Sequence, residues 1–288
     1  MKSFRYNCLW MCLLLCLAAC TSTPTTLPPT TTEVIPTPTD ALPTATTEAL
    51  APTATPQPTT SGVTVNFGGI TFVIPEGLAT GISGEIVPPA DEPEPPYWAV
   101  HPAYTEITLT GYQRASTFHY PRVAVYPVAE YIAIHPEVEQ TVATLQSLIA
   151  DPTLDLPTLP MIPIWNAAQM LYVQVAPVSF EGGRGVRYLA QYGQAVQPIN
   201  NQELFYTFQG LTNDSAYYVV AVLPVSHPSL PADFHLSLAE YTAFEQQFEP
   251  YLQDLTLALN AETPDSFSPG LHTLDALVQT ITLVAPLR

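Results

Sequence analysis

Two arginines stand three residues apart in Gly182-Gly183-Arg184-Gly185-Val186-Arg187-Tyr188. The glycines allow tight backbone conformations. Two guanidiniums on such a loop could hold a carboxylate or phosphate through paired N–H donors. The plainer reading is a turn whose arginines pair with carboxylates of an acidic chain. His119-Tyr120-Pro121-Arg122 admits the same two readings. Tyr97 and Trp98, with Tyr104 just beyond, could stack on sugar rings or dock into a partner. Their plainer role is to fold back and pin a loop to the core. Arg184, Arg187, His119, Arg122, Tyr97 and Trp98 are therefore the candidate binding residues.

No catalytic or metal-binding residue is nominated, and no cofactor is implied. The histidines are His101, His119, His135, His227, His235 and His272, and three of them precede a proline. None pairs with another at the i, i+4 spacing of a helical zinc site. There is no Gly-x-Ser-x-Gly elbow for a serine nucleophile. Glycoside hydrolysis needs two carboxylates across a cleft, and sequence alone does not pair them. Asp91, Glu92 and Glu94 are separated by prolines and read as solvated. Asn213-Asp214-Ser215 lacks the ligand series of a calcium loop and reads as a hairpin turn.

The elements that must position these residues lie beyond an unusual N-terminus. Lys2 and Arg5 precede an uncharged apolar run from Cys8 to Leu17, followed by Ala18, Ala19 and Cys20. This is the layout of a secretory signal, and the run is shorter than the roughly 20 residues of a membrane span. Leu17-Ala18-Ala19-Cys20 resembles the lipobox of bacterial lipoproteins. The resemblance implies a diacylglyceride thioether on Cys20 and cleavage just before it. The four cysteines are Cys8, Cys12, Cys16 and Cys20, so cleavage would leave Cys20 alone and no disulfide within the mature chain. Two or three acyl chains would hold the protein to the membrane without any lipid-binding surface on the fold.

Residues 20–62 are mostly Thr, Pro, Ala and Ser. Such a tract buries too little apolar area to offset ordering entropy and reads as a disordered spacer, bare or O-glycosylated. Residues 63–288 then form a single domain, long enough to build its own core. The net charge is −18. Removal of the signal makes the chain more acidic still, because Lys2 and Arg5 leave with it. Nucleic-acid binding needs clustered cations to neutralise phosphates. This chain lacks them, and attraction to anionic lipid is equally disfavoured.

Within the domain, Val63–Phe67 and Ile70–Ile74 alternate apolar and polar residues around Gly68-Gly69, which predicts two short strands. Further strands are expected near Ile82–Val87, Glu106–Tyr112 and Arg122–Val128, with an acidic proline-rich loop over Pro88–Pro102 devoid of regular structure. A helix is expected from Pro136 to Asp151, with Val138, Val142, Leu145 and Ile149 on one face. A proline-rich connector follows through Pro163. Leu171 to Leu223 reads as several antiparallel strands, the last a central one buried on both faces. Ser237 and Glu240 have capping-box spacing. Tyr241, Phe244, Phe248, Tyr251, Leu255 and Leu259 form an apolar stripe expected in the core, with Pro250 kinking or splitting that helix. A final helix runs from Pro269, with Leu271, Leu274, Leu277 and Ile281 inward.

This order predicts an α+β fold, an antiparallel sheet with helices packed against it. The motif Gly69-Ile70-Thr71-Phe72-Val73-Ile74-Pro75, the sheet-rich middle and the C-terminal helix are similar to the PsbP/Mog1 family of α/β sandwiches. That resemblance implies a protein-binding role and carries over no functional residue. The expected function is a membrane-anchored, extracytoplasmic, non-catalytic binding or interaction domain in the bacterial cell envelope. Its partners would be the membrane, through acyl chains on Cys20, and another envelope protein or a polysaccharide, not nucleic acid. The alternatives are an envelope hydrolase with a site assembled from distant residues, or a ligand-sensing or transport-accessory domain.

Overall fold

A computed structural model describes residues 61–90 and 94–284. The expected signal, Cys20, nearly all of the Thr/Pro tract, and Asp91 and Glu92 lie outside the described residues. The fold is α+β. The strands are β1 (Gly62–Phe67), β2 (Ile70–Pro75), β3 (Gly81–Val87), β4 (Tyr104–Thr110), β5 (Arg122–Pro127), β6 (Ala168–Phe180), β7 (Gly183–Gly193), β8 (Phe205–Thr212), β9 (Tyr217–Pro224) and β10 (Thr282–Leu283). The helices are α1 (Val128–Ile134), α2 (Val138–Ala150), α3 (Leu238–Glu245), α4 (Phe248–Ala261) and α5 (Leu271–Gln279).

Seven strands form one antiparallel sheet in the order β3-β4-β5-β9-β8-β7-β6, and β1-β2-β10 form a smaller one. Strand alternation divides the large sheet between two cores. Val219, Ala221 and Leu223 of β9 enter a core shared with the small sheet, α4 and α5. Tyr218, Val220 and Val222 enter a second core under α1, α2 and the 151–167 connector. β5 divides likewise, with Val123 and Val125 on the first face and Ala124 and Tyr126 on the second. β9 is thus the doubly buried central strand that its apolar run predicts, flanked by β5 and β8.

Several expectations are corrected. The strand expected at Arg122–Val128 forms and ends one residue early, because the chain passes from Pro127 directly into the unexpected helix α1. The segment is seven residues long, and only Val128 and Tyr131 are buried. The proline-rich loop holds one 3-10 turn at Tyr97–Ala99. In α2 the fourth fully buried residue is Leu148 rather than Ile149, which is partly buried. The aromatic helix splits at Gln246–Gln247, so Pro250 falls in the first turn of α4, where its missing N–H costs nothing. The capping box at Ser237 and Glu240 forms as expected. The stripe behind it is core only in its second half: Leu259 is fully buried and Tyr251 and Leu255 pack against the same core, while α3 buries no residue. α5 does enter the core, through Leu271, Leu274, Leu277 and Val278, with Ile281 just beyond its end.

Candidate functional site

The Arg184–Arg187 pair does not form a site. Gly183–Gly193 is a strand, and residues three apart on a strand point to opposite faces. Arg184 is exposed. Arg187 is buried on the side of α5, with Nε 3.5 Å from Asp275 Oδ1 and Nη1 donating to the Gln174 carbonyl. The Tyr206 hydroxyl donates to the same Asp275 oxygen at 3.0 Å. This cluster ties the sheet to α5. The turn itself is made by Gly182, whose φ of +84° suits a residue without a Cβ.

His119 and Arg122 do converge, and Trp98 joins them. They line a cavity of about 740 Å³ on the second-core face of the sheet. β4 supplies Tyr104 and Glu106, β5 supplies Arg122 and Tyr126, α1 supplies Tyr131, and β7 supplies Tyr192. The even-numbered strand residues share this face, as the registers Glu106↔Ala124 and Thr108↔Arg122 require. The connector contributes Trp165 and Asn166, and the 194–203 loop contributes Gln194, Gln197 and Glu203. Tyr97 is not in the wall. Its ring meets the edge of His135 at 4.7 Å, and His135 Nε2 lies 2.9 Å from the Val100 carbonyl. Tyr97 therefore has the pinning role.

The loop bearing His119 is fixed from outside the cavity. Arg114 donates to the Asn201 carbonyl (2.9 Å), Gln202 Nε2 to the Ser116 carbonyl (2.6 Å), and the Phe118 amide to the Gln202 carbonyl (2.9 Å). Asn200 Oδ1 in turn accepts the amides of Gln202 and Glu203. In the connector, the Ile162 amide donates to Gln209 Oε1 and the Ile164 amide to the Tyr131 hydroxyl, next to Trp165. The wall is therefore built before any ligand arrives.

His119 stacks on Trp165, with centroids 5.0 Å apart and planes at 12°. The edges of Phe118 and Phe205 close around it. Burial, with help from the Arg122 charge, pushes the His119 imidazole down to about 4, so it is neutral at physiological pH. Arg122 Nε lies 3.6 Å from Glu106 Oε2, and its guanidinium sits 4.4 Å above the Tyr120 ring centroid. The Tyr120 hydroxyl donates to Glu106 at 3.1 Å. Glu106, Arg122 and Tyr120 thus form one closed, charge-balanced unit. Burial raises the Tyr104 hydroxyl to about 12, and Glu106 adds to the rise. Burial also raises the Glu203 carboxyl, whose Oε2 accepts a hydrogen bond from Gln197, while nearby Asp233 raises it further.

Trp165, Tyr192, Glu106 and Glu203 were not among the candidates. Tyr188-Leu-Ala-Gln-Tyr192 and Arg122-Val-Ala-Val-Tyr126 do show Tyr and Arg four positions apart, an even spacing along a strand. That pattern places the residues of each strand on one face, but not the two strands on one cavity.

A second arrangement has the residue types of a hydrolytic triad. The Ser229 hydroxyl lies 2.7 Å from His227 Nδ1, and His227 Nε2 lies 3.6 Å from Glu262 Oε2. The Ser229 amide also donates to Nδ1, as in a local turn, and none of the three residues lines the aromatic cavity. It organises the 226–230 segment. Among the described residues no group of three His, Cys, Asp or Glu could hold a metal ion, and no helix is long and apolar enough to cross a membrane. No family model matches the chain, nor does any curated protein or solved structure.

Proposed function

We propose that this chain is a lipid-anchored extracytoplasmic protein whose domain binds a small ligand in the aromatic cavity. One observation carries the binding reading. A pre-built cavity of about 740 Å³, within the roughly 300–1,000 Å³ usual for ligand sites, joins aromatic walls to a few convergent polar groups. The anchor and the envelope location rest on the basic, apolar and small-residue series that ends at Cys20, and the spacer on the Thr/Pro tract that follows. The resemblance to PsbP/Mog1 sandwiches rests on Gly69–Pro75 and the order of elements, and it contributes no residue to the cavity.

The anchor is tested by growing cells with radioactive fatty acid. Wild-type chain takes up label and Cys20→Ser takes up none. Label on the variant contradicts acylation at Cys20.

A second reading, a hydrolase with a site assembled from distant residues, draws on Glu106 and Glu203. Both line the cavity, one ion-paired with Arg122 and one raised by burial. Different environments for two carboxylates are how one site keeps an acid and a base together. The readings separate by product analysis of a bound ligand. Binding alone returns the ligand intact, and product that disappears in Glu203→Gln establishes the hydrolase.

A further inference from the structure

The composition of the cavity wall identifies the chemistry of its ligand. Both tryptophans of the domain, Trp98 and Trp165, face into it. Trp165 is fixed from one side by the stacked His119 and from its flanks by Tyr192 and Phe205. Trp98 is 45% exposed and packs against no other ring among the described residues, so an indole face stays open to an occupant. Among the polar groups that line the cavity are planar forks: the carboxylates of Glu106 and Glu203, the guanidinium of Arg122 and the amide of Gln197. A planar fork can bridge two neighbouring hydroxyls, while an aromatic face accepts the C–H side of a sugar ring.

Charge narrows the class. An anion would need an uncompensated cation, yet Arg122 is matched by Glu106 and His119 is neutral. An organic cation would compete for the open Trp98 face and the Glu203 carboxylate, which makes choline the rival probe. A wholly apolar guest would cut Glu106, Arg122, Glu203 and Gln197 off from water, leaving each only the partner it already has in the wall.

We infer that the cavity takes a neutral saccharide of one or two pyranose rings, stacked on Trp98 and Trp165 and hydrogen-bonded by the carboxylates and amides that line it. This rests on the reading of the cavity as a ligand site. The chain, held in a detergent without a sugar headgroup, is titrated calorimetrically at millimolar ligand. The probes are cellobiose, maltose and the β-1,4 dimer of N-acetylglucosamine, with choline chloride, inorganic phosphate and toluene alongside.

At least one disaccharide binds saturably. Trp98→Ala weakens it roughly five- to tenfold, as the loss of one stacking surface should, and Trp98→Phe restores part of the loss. Trp98 is half-exposed, so the variant folds, which a matching thermal transition verifies. Binding of choline, phosphate or toluene with no saccharide bound overturns the saccharide assignment and leaves the cavity a ligand site. Silence from all six probes overturns the saccharide assignment and counts against the binding reading itself. Saccharide binding indifferent to Trp98→Ala places the sugar elsewhere and overturns the inference.

Discussion

Replacing Arg187 by Met removes one half of a buried ion pair and leaves the other. Arg187 and Asp275 have side chains 6% and 13% exposed, with Nε and Oδ1 3.5 Å apart. Methionine fills much of the volume of the arginine stem, so packing changes little, but the Asp275 carboxylate loses its counter-charge and the Gln174 carbonyl loses a donor. Stranding one charge of a buried pair costs about 3–5 kcal/mol. For a domain of this size that is a fall in Tm of about 6–20 °C. Burial already raises the Asp275 carboxyl above its ordinary value, opposed by Arg187 and the Tyr206 hydroxyl. Without Arg187 it rises further. A carboxyl raised in the folded state binds more protons folded than unfolded, so its contribution to stability falls as pH rises through that window. The cost of Arg187→Met is therefore smaller near about pH 4.5 than near about pH 7.5. Urea melts at both pH values, with the double variant Arg187→Met/Asp275→Leu, provide the assay. The double variant recovers at least half of the single variant's loss, because two apolar residues replace the pair. A cost below about 1 kcal/mol at the higher pH, or a double variant less stable than the single one, refutes the reasoning.

The same physics sets three further outcomes. His119 is held at about 4 in the folded chain against about 6.5 unfolded, so stability falls on acidification between those values by roughly 3 kcal/mol. His119→Phe, which keeps the stack on Trp165, flattens that part of the pH–stability curve, and an unchanged curve contradicts the burial of a neutral imidazole. At Gly185 an added Cβ would stand 2.2 Å from the Gln209 carbonyl oxygen of the neighbouring strand. Gly185→Ala should cost at least about 2 kcal/mol by chemical denaturation, whereas Gly182→Asn at the positive-φ turn should be nearly neutral. Ser237→Ala removes the capping box of α3, and circular dichroism on heating should show a loss of only about 1 kcal/mol.

Where one residue pattern implies one environment, the sequence was enough. The continuous apolar run Tyr217–Leu223 has no polar face to offer water, and β9 lies between two cores. Ser237 and Glu240 define a helix start through contacts three residues apart, and those contacts form. The errors come where a pattern fixes a face but not what covers it. Tyr241, Phe244 and Phe248 have helical spacing, yet α3 and the first turn of α4 leave all three partly exposed. The glycines suggest a loop around Arg184 and Arg187, but the strand already begins at Gly183, and that sends the two guanidiniums apart.

His119, Arg122 and Trp98 were singled out by residue type and do share a cavity. Their companions Trp165, Tyr192 and Glu203 come from segments 40 or more positions further along, and sheet order alone makes them neighbours. Local spacing carries no record of a strand register such as Arg122↔Val222, followed by β8 and β7 in turn. The cavity became legible only once those strands were paired.

Ligand binding in the aromatic cavity is tested most directly with 5-fluorotryptophan incorporated throughout the chain. Both domain indoles, Trp98 and Trp165, line the cavity. Their ¹⁹F resonances, assigned through Trp98→Phe and Trp165→Phe, therefore report on it alone. Titration with a library of small sugars, amines, acids and aromatic fragments should shift both resonances together and saturably for the ligands that bind. Ligands that bind by calorimetry yet leave both indole resonances in place would contradict the cavity as the binding site.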